Sequence, residues 1–212
     1  MNPILEAAVE VERVIQTARF SFCFIGGIAV QRWGQPRMTA DVDLTVMTGF
    51  GGEERYVDVL LASLRGRVAE ARSFALQHRT LLLVASNGVH VDVSLGAMPF
   101  EEHAAARASP FAVSDRDSIT TCSAEDLVVH KAFAGRDKDW GDIRGIVARQ
   151  SGRLDHELIW SELLPLLELR DDAETETKLR RLLHHRRWCC CAPMITASGG
   201  RQRGRPSRGR RA

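Results

Sequence analysis

Asp41 and Asp43 are two carboxylates separated by a single residue, in the segment DVDLTVM. Polar and apolar residues alternate in this segment, which is the period of a β-strand, so both carboxylates are expected on one face. Close carboxylates repel each other, and each raises the pKa of the other. A divalent cation removes that penalty, and Mg²⁺ favours carboxylates together with substrate phosphates. The spacing indicates a metal site, with the solvated face of an edge strand as the alternative.

A third carboxylate, Asp92, lies in HVDVSL, where the same alternation predicts another strand. His90 shares the polar face of that strand and is expected to be a half-buried strand histidine. If the two strands are neighbours, three carboxylates converge, as a site for two ions roughly 3.5–4 Å apart requires. One ion would hold nucleotide phosphates, and the other would lower the pKa of an acceptor hydroxyl. Attack on the α-phosphorus then depends on alignment and charge stabilisation.

A pair of glycines, Gly26 and Gly27, ends the apolar run FCFIG and precedes IAVQRWG. The pattern predicts a buried strand, a turn and a short helix. Glycine permits close approach of the backbone, and a helix N-terminus offers free N–H groups to an anion. Because the pair precedes Asp41 by 15 residues, this order would set a triphosphate beside the metal. An ordinary tight turn is the alternative.

Three cations, Lys131, Arg136 and Lys138, lie near the junction of two predicted helices. Cations there would grip the β- and γ-phosphates or the leaving pyrophosphate. The alternative is ion pairing, for example of Lys131 with Asp126 or of Arg136 with Asp139.

The segment GGIAVQRWGQPRMTADVDLTV resembles the first motif of DNA polymerase β-type nucleotidyltransferases. More narrowly, it resembles the AbiEii-like toxins of type IV toxin–antitoxin systems. The matching residues are Gly26, Gly27, Arg37, Thr39, Asp41 and Asp43. HVDVSL would supply the third carboxylate of the family, Asp92. EDLVVHKAFAGRDKDWGDI resembles a later motif, matched by Lys131, Ala134, Arg136, Lys138, Asp139 and Asp142.

The resemblance implies a polymerase β-like core with a mixed sheet, Mg²⁺, a nucleoside triphosphate and a neutralising antitoxin. Asp41, Asp43 and Asp92 would bind the metal and act in catalysis together with Lys131. The nucleotide would be bound by Gly26, Gly27, Arg37, Thr39, Arg136 and Lys138. The acceptor hydroxyl would belong to an RNA, such as a tRNA, or to a protein. Asp139 and Asp142 are expected to pair with cations or to shape the site.

The order of predicted elements indicates an α+β fold, with strands and helices first and helices alone afterwards. Helices are expected at 4–18 and 53–65, and TLLLVAS–Asn87-Gly88–VHVDVSL predicts a hairpin with a two-residue type I′ turn. The predicted domains are a nucleotidyltransferase core (1–122), a helical C-terminal lobe (123–185) and a disordered Arg- and Gly-rich tail (186–212).

Composition excludes several classes of protein. The formal net charge is +2, but from residue 186 onward the chain has eight Arg and no acidic residue, so the remainder is acidic on balance. The five Cys contain no C-x-x-C pair, which argues against a disulfide framework. No apolar stretch is long enough to span a membrane, so a cytoplasmic protein is expected. Two alternatives remain: a nucleotidyltransferase of small molecules such as antibiotics, and a non-catalytic RNA-binding or regulatory protein that uses the basic tail.

Overall fold

The computed structural model describes residues 2–184, so the predicted tail lies outside the described residues. The helices are α1 (Pro3–Ala18), α2 (Gly26–Trp33), α3 (Glu53–Ser63), α4 (Ala71–His78), α5 (Pro99–Ala106), α6 (Ala124–Ala134), α7 (Asp137–Gln150), α8 (His156–Glu168) and α9 (Ala173–His184). The strands are β1 (Phe22–Phe24), β2 (Asp41–Met47), β3 (Arg65–Gly66), β4 (Thr80–Val84), β5 (His90–Gly96), β6 (Ser109–Ala112) and β7 (Ser118–Thr121).

The strands form one mixed sheet in the order β3-β4-β5-β2-β1-β7-β6. At its centre β2 runs parallel to β5 and antiparallel to β1. The register sets Asp43 opposite Asp92 and Asp41 opposite His90. The two acidic strands are therefore direct neighbours. The predicted convergence of the three carboxylates depended on this pairing, which the sequence alone did not establish. The α+β class with a mixed sheet is confirmed.

Local sequence explains where the main helices begin. Asn2 caps α1, because its side-chain oxygen accepts a hydrogen bond from the backbone N–H of Ile4 at 3.0 Å. Ser123 caps α6 in the same way, accepting from the N–H of Asp126 at 3.0 Å. Helix α2 begins earlier than predicted, since Gly26 and Gly27 are its first two residues rather than a turn that precedes it.

The hairpin between β4 and β5 exists, but its predicted two-residue type I′ turn is wrong. The loop has three residues, Ser86, Asn87 and Gly88, because the N–H of Ala85 donates to the carbonyl of Val89. Only Gly88 has a positive φ, of 85°. The connection is therefore a turn followed by a left-handed glycine, the next most common hairpin class.

Two hydrophobic clusters hold the fold together. The first contains Val42 and Leu44 of β2 and packs them against Ile15 of α1 and Leu60 of α3. The second joins α2 to the later helices, with α6, α7 and α8 together contributing most of its residues. As a result, the acidic face of β2 is turned away from α1 and towards α2. Within residues 2–184, no helix is long and apolar enough to cross a membrane.

Candidate active site

Three carboxylates lie on the central strands as the sequence predicted. Asp43 and Asp92 occupy opposite positions on parallel strands, and Asp41 precedes Asp43 by two residues on the same face. Asp41 Oδ1 lies 3.6 Å from His90 Nδ1, and both side chains are about half exposed. About half of the His90 side chain is therefore buried, as expected for a histidine on this strand.

The surroundings of Asp43 disfavour its negative charge. Burial raises the pKa of Asp43, and the charges of Asp92 and Asp41 raise it further. The backbone N–H of Gly27 donates a hydrogen bond to Asp43, and the charge of Lys131 also opposes the rise in pKa. The net effect is a raised pKa, which a bound cation would reverse.

The two glycines at the start of α2 let the helix approach the acidic strand. A Cβ at Gly26 would lie 2.1 Å from Asp43 Oδ2, and a Cβ at Gly27 would lie 2.3 Å from Thr39 Oγ1. Gly26 also has a φ of +59°, in the left-handed region. The Thr39 hydroxyl in turn donates to the carbonyl of Asp41 at 3.2 Å. The predicted motif residues are therefore in direct contact around Asp43.

We expect Gly26→Ala to lower turnover of the enzyme proposed below by about a hundredfold, because the new methyl group would push the Asp43 carboxylate aside by roughly 1 Å. Gly49→Ala is the matched control. Gly49 also has a positive φ, of +70°, but a Cβ there meets nothing within 4 Å. Steady-state kinetics of both variants measure the difference; equal losses would mean that backbone strain, rather than contact with Asp43, causes the effect.

A chain of buried ion pairs lies beside the carboxylates. Lys131 Nζ is 2.9 Å from Asp139 Oδ1 and 2.9 Å from Asp142 Oδ2. Arg37 donates to both oxygens of Asp142, at 2.7 and 2.8 Å, and Arg136 Nε lies 2.6 Å from Asp139 Oδ2. Lys131, Asp139 and Asp142 are all buried. Two acidic residues, Asp139 and Asp142, therefore bring together three of the predicted cations, Arg37, Lys131 and Arg136.

The alternative ion pairs considered from the sequence have different outcomes. The pair between Arg136 and Asp139 is present. Asp126 does not pair with Lys131; it pairs with Arg107, whose Nη2 lies 2.6 Å from Asp126 Oδ1. Lys138 is exposed, and no ion pair within residues 2–184 involves it.

Asp92 contacts a residue that the sequence did not single out. Arg67 Nη1 lies 2.8 Å from Asp92 Oδ1. That oxygen is shielded from solvent, and the guanidinium approaches it without the alignment of a hydrogen bond. Arg67 follows β3, a two-residue strand with no periodicity for sequence analysis to detect. The only available signal was an Arg in a short stretch before a helix.

The donor set fits Mg²⁺, because it consists of carboxylate oxygens on adjacent strands and Asp43 lies close to other negative charges. The three carboxylates are not gathered around one point, however. Among residues 2–184, no three His, Cys, Asp or Glu side chains are close enough to hold a metal ion together. A cation bound at Asp92 Oδ1 would have to share that oxygen with Arg67 or displace Arg67 from it.

No family model matches the sequence, and no curated protein matches it either. Solved structures do match. A crystal structure of an antigenic nucleotidyltransferase-like protein from Paracoccidioides brasiliensis has a TM-score of 0.50 and 16% identity, over 84% of this chain and 93% of that one. A crystal structure of ANT(2'')-Ia in complex with adenylyl-2''-tobramycin has a TM-score of 0.52 and 16% identity, over 80% of this chain and 99% of that one.

The chain has the fold of polymerase β-like nucleotidyltransferases. The likeness extends over most of the described residues, so it includes the sheet that carries the three aspartates and the helices that follow it. At 16% identity it establishes the fold and leaves the reaction to be argued from the site.

Proposed function

We propose that the protein is a metal-dependent nucleotidyltransferase that moves a nucleotidyl group from a nucleoside triphosphate to a hydroxyl acceptor. The observation that supports this best is the register of Asp43 opposite Asp92, with Gly26 and Gly27 packed against Asp43. An acidic pair beside a glycine-rich helix start suits a metal-bound triphosphate.

Each group of residues has a separate role in this proposal. Asp41, Asp43 and Asp92 hold Mg²⁺, which when bound neutralises phosphate charge and lowers the pKa of the acceptor hydroxyl. The N–H of Gly27 opposes the rise in the pKa of Asp43 and so favours its charged form. Lys138 is exposed and free of ion pairs among the described residues, which leaves it available to phosphate oxygens.

Lys131 takes a positioning role in this proposal, because its Nζ lies between Asp139 and Asp142. Asp142 also pairs with Arg37, and Asp139 also pairs with Arg136, so Lys131 helps to position both arginines. Both guanidinium groups remain partly exposed, so each has N–H donors left for the triphosphate.

The direct test is release of pyrophosphate from each nucleoside triphosphate in the presence of Mg²⁺, with transfer of an α-³²P label to cellular extract. We expect label transfer that one or more triphosphates support and that EDTA abolishes, since the carboxylates need a cation to hold phosphate. Label transfer that is unaffected by EDTA would contradict metal dependence. No transfer from any triphosphate would contradict the proposal as a whole.

The acceptor is proposed to be a hydroxyl of RNA or protein, as part of a toxin–antitoxin pair in the cytoplasm. This proposal rests on the resemblance of residues 26–46 and 125–143 to AbiEii-like toxins. Expression of the wild type and of Asp43→Asn in a bacterial host tests it. Growth arrest by the wild type alone, relieved by the product of an adjacent gene, is the expected result. Equal growth of both cultures would contradict a toxin.

A second candidate is transfer to a small cationic molecule of the antibiotic type. It is favoured by the likeness to ANT(2'')-Ia, whose bound ligand is adenylyl-2''-tobramycin and of which 99% is covered. An acidic body also suits a cationic acceptor better than RNA. Separation of the labelled products distinguishes the candidates, since the label enters RNA, protein or a small molecule.

A further inference from the structure

Arg67 is the cation closest to the third carboxylate of the proposed metal site. Its Nη1 lies 2.8 Å from Asp92 Oδ1, and the side chains are 23% and 35% exposed. The contact sits on the side of Asp92 away from β2, because β3 and β4 lie beyond β5 in the sheet. Asp92 therefore lies between Arg67 on one side and Asp43, its register neighbour on β2, on the other.

The pair between Arg67 and Asp92 differs from the pairs that hold the helices together. Arg37 grips both oxygens of Asp142 with two aligned hydrogen bonds of 2.7 and 2.8 Å. Arg67 instead approaches a single oxygen, and that oxygen has no aligned hydrogen-bond partner. Bidentate pairs are geometrically fixed, whereas a contact held by charge alone exchanges readily with another cation.

The surroundings of Arg67 allow its side chain to leave while its backbone stays. The backbone N–H of Arg67 donates to the carbonyl of Leu82 at 2.9 Å, which anchors the residue to β4. Next to it is a cavity of about 450 Å³, lined by residues that include Gly66, Arg67 and Glu70. The cavity has room for a guanidinium group, and the carboxylate of Glu70 offers an opposite charge there.

We propose that Arg67 occupies the place of a cation beside Asp92 in the metal-free protein, and that it must move aside when a divalent cation binds there. Arg67 thereby lowers the metal affinity of the site, and it occupies the cation position until metal and nucleotide bind. This inference rests on the proposed metal-dependent function and deepens it, because it names a residue that regulates the same site.

Titration of the full-length protein with Mn²⁺, followed by calorimetry, tests the inference without any measurement of activity. We expect Arg67→Gln to bind Mn²⁺ about tenfold more tightly than the wild type, because the ion no longer competes with a partly buried guanidinium. Arg65→Gln is the matched control. It removes an equal charge two residues away, from an exposed side chain that has no ion pair within residues 2–184, and should change the affinity less than about twofold.

Two further measurements make the test specific. In a protein that carries Asp92→Asn, the additional change Arg67→Gln should leave the Mn²⁺ affinity unchanged, because the contact has already been removed. The melting temperature gives a second readout: Mg²⁺ should raise it by more in Arg67→Gln than in the wild type.

The outcomes separate this inference from the function on which it rests. Equal Mn²⁺ affinity in the wild type and Arg67→Gln, together with weaker binding by Asp43→Asn, would overturn the role of Arg67 and leave the metal site standing. Saturable binding by none of the proteins would overturn both. A tenfold effect that persists in the Asp92→Asn background would also overturn the inference, since Arg67 would then act elsewhere.

Discussion

Asp43→Asn is expected to reduce nucleotidyl transfer by about a thousandfold or more, because it removes a metal-binding charge while keeping the shape of the side chain. The asparagine side chain has the same volume against Gly26, so α2 keeps its place against β2. The measurement is pyrophosphate release at saturating triphosphate and Mg²⁺. Retention of more than about a tenth of wild-type turnover would contradict a ligand role for Asp43.

Stability provides the control for this variant. Burial and the charge of Asp92 raise the pKa of Asp43, so the charge is held at an energetic cost to the folded protein. We therefore expect the melting temperature of Asp43→Asn to equal or exceed that of the wild type in EDTA. Asp115→Asn removes a carboxylate from an exposed position between β6 and β7 and should change neither quantity. A loss of activity accompanied by a lower melting temperature would indicate misfolding instead.

The acidic strands show what sequence periodicity can and cannot predict. Alternation in DVDLTVM and HVDVSL correctly predicted both strands and the face on which Asp41, Asp43 and Asp92 lie. It could not predict that β2 and β5 pair in parallel, because more than forty residues and two helices separate Asp43 from Asp92. Period determines the face of a strand, whereas its partner depends on the packing of the whole chain.

The strand β6 was missed for a different reason. Ser109–Ala112 contains Pro110, which lacks a backbone N–H and argues against a central strand. The structure places β6 at the edge of the sheet, where a missing donor on one side is tolerated. Pro110 is tolerated because β6 is an edge strand. A local sequence pattern does not show whether a strand lies at the edge or in the centre of a sheet.

The ion-pair chain was predicted in part. Its three cations, Arg37, Lys131 and Arg136, were predicted from the two motifs. Asp139 and Asp142 were expected to pair with cations or to shape the site. The burial of Lys131 between both carboxylates was not predicted, because spacing along α7 shows which residues share a face without showing what covers that face. A buried lysine requires counter-charges, so the two carboxylates account for its burial.

Lys131→Met is expected to lower the free energy of unfolding by about 3–5 kcal/mol, the usual cost of leaving buried charges without their partner. Asp139 is completely buried and Asp142 nearly so, and each would keep only one arginine. Urea unfolding at neutral pH measures the loss. Lys138→Met, which removes an exposed lysine from the neighbouring helix α7, should cost less than about 0.5 kcal/mol.

The dependence of this loss on pH identifies its cause. Burial alone would raise the pKa of Asp139 and of Asp142, but hydrogen bonds from Arg136, Arg37 and Lys131 lower both below the ordinary value of 3.8. A carboxylate with a depressed pKa contributes stability above its unfolded pKa and loses that contribution as the pH falls through its folded pKa. The difference between the wild type and Lys131→Met should therefore be full at pH 7 and shrink below about pH 4. A difference that stays constant in acid would mean that Lys131 stabilises the helices by packing rather than by charge.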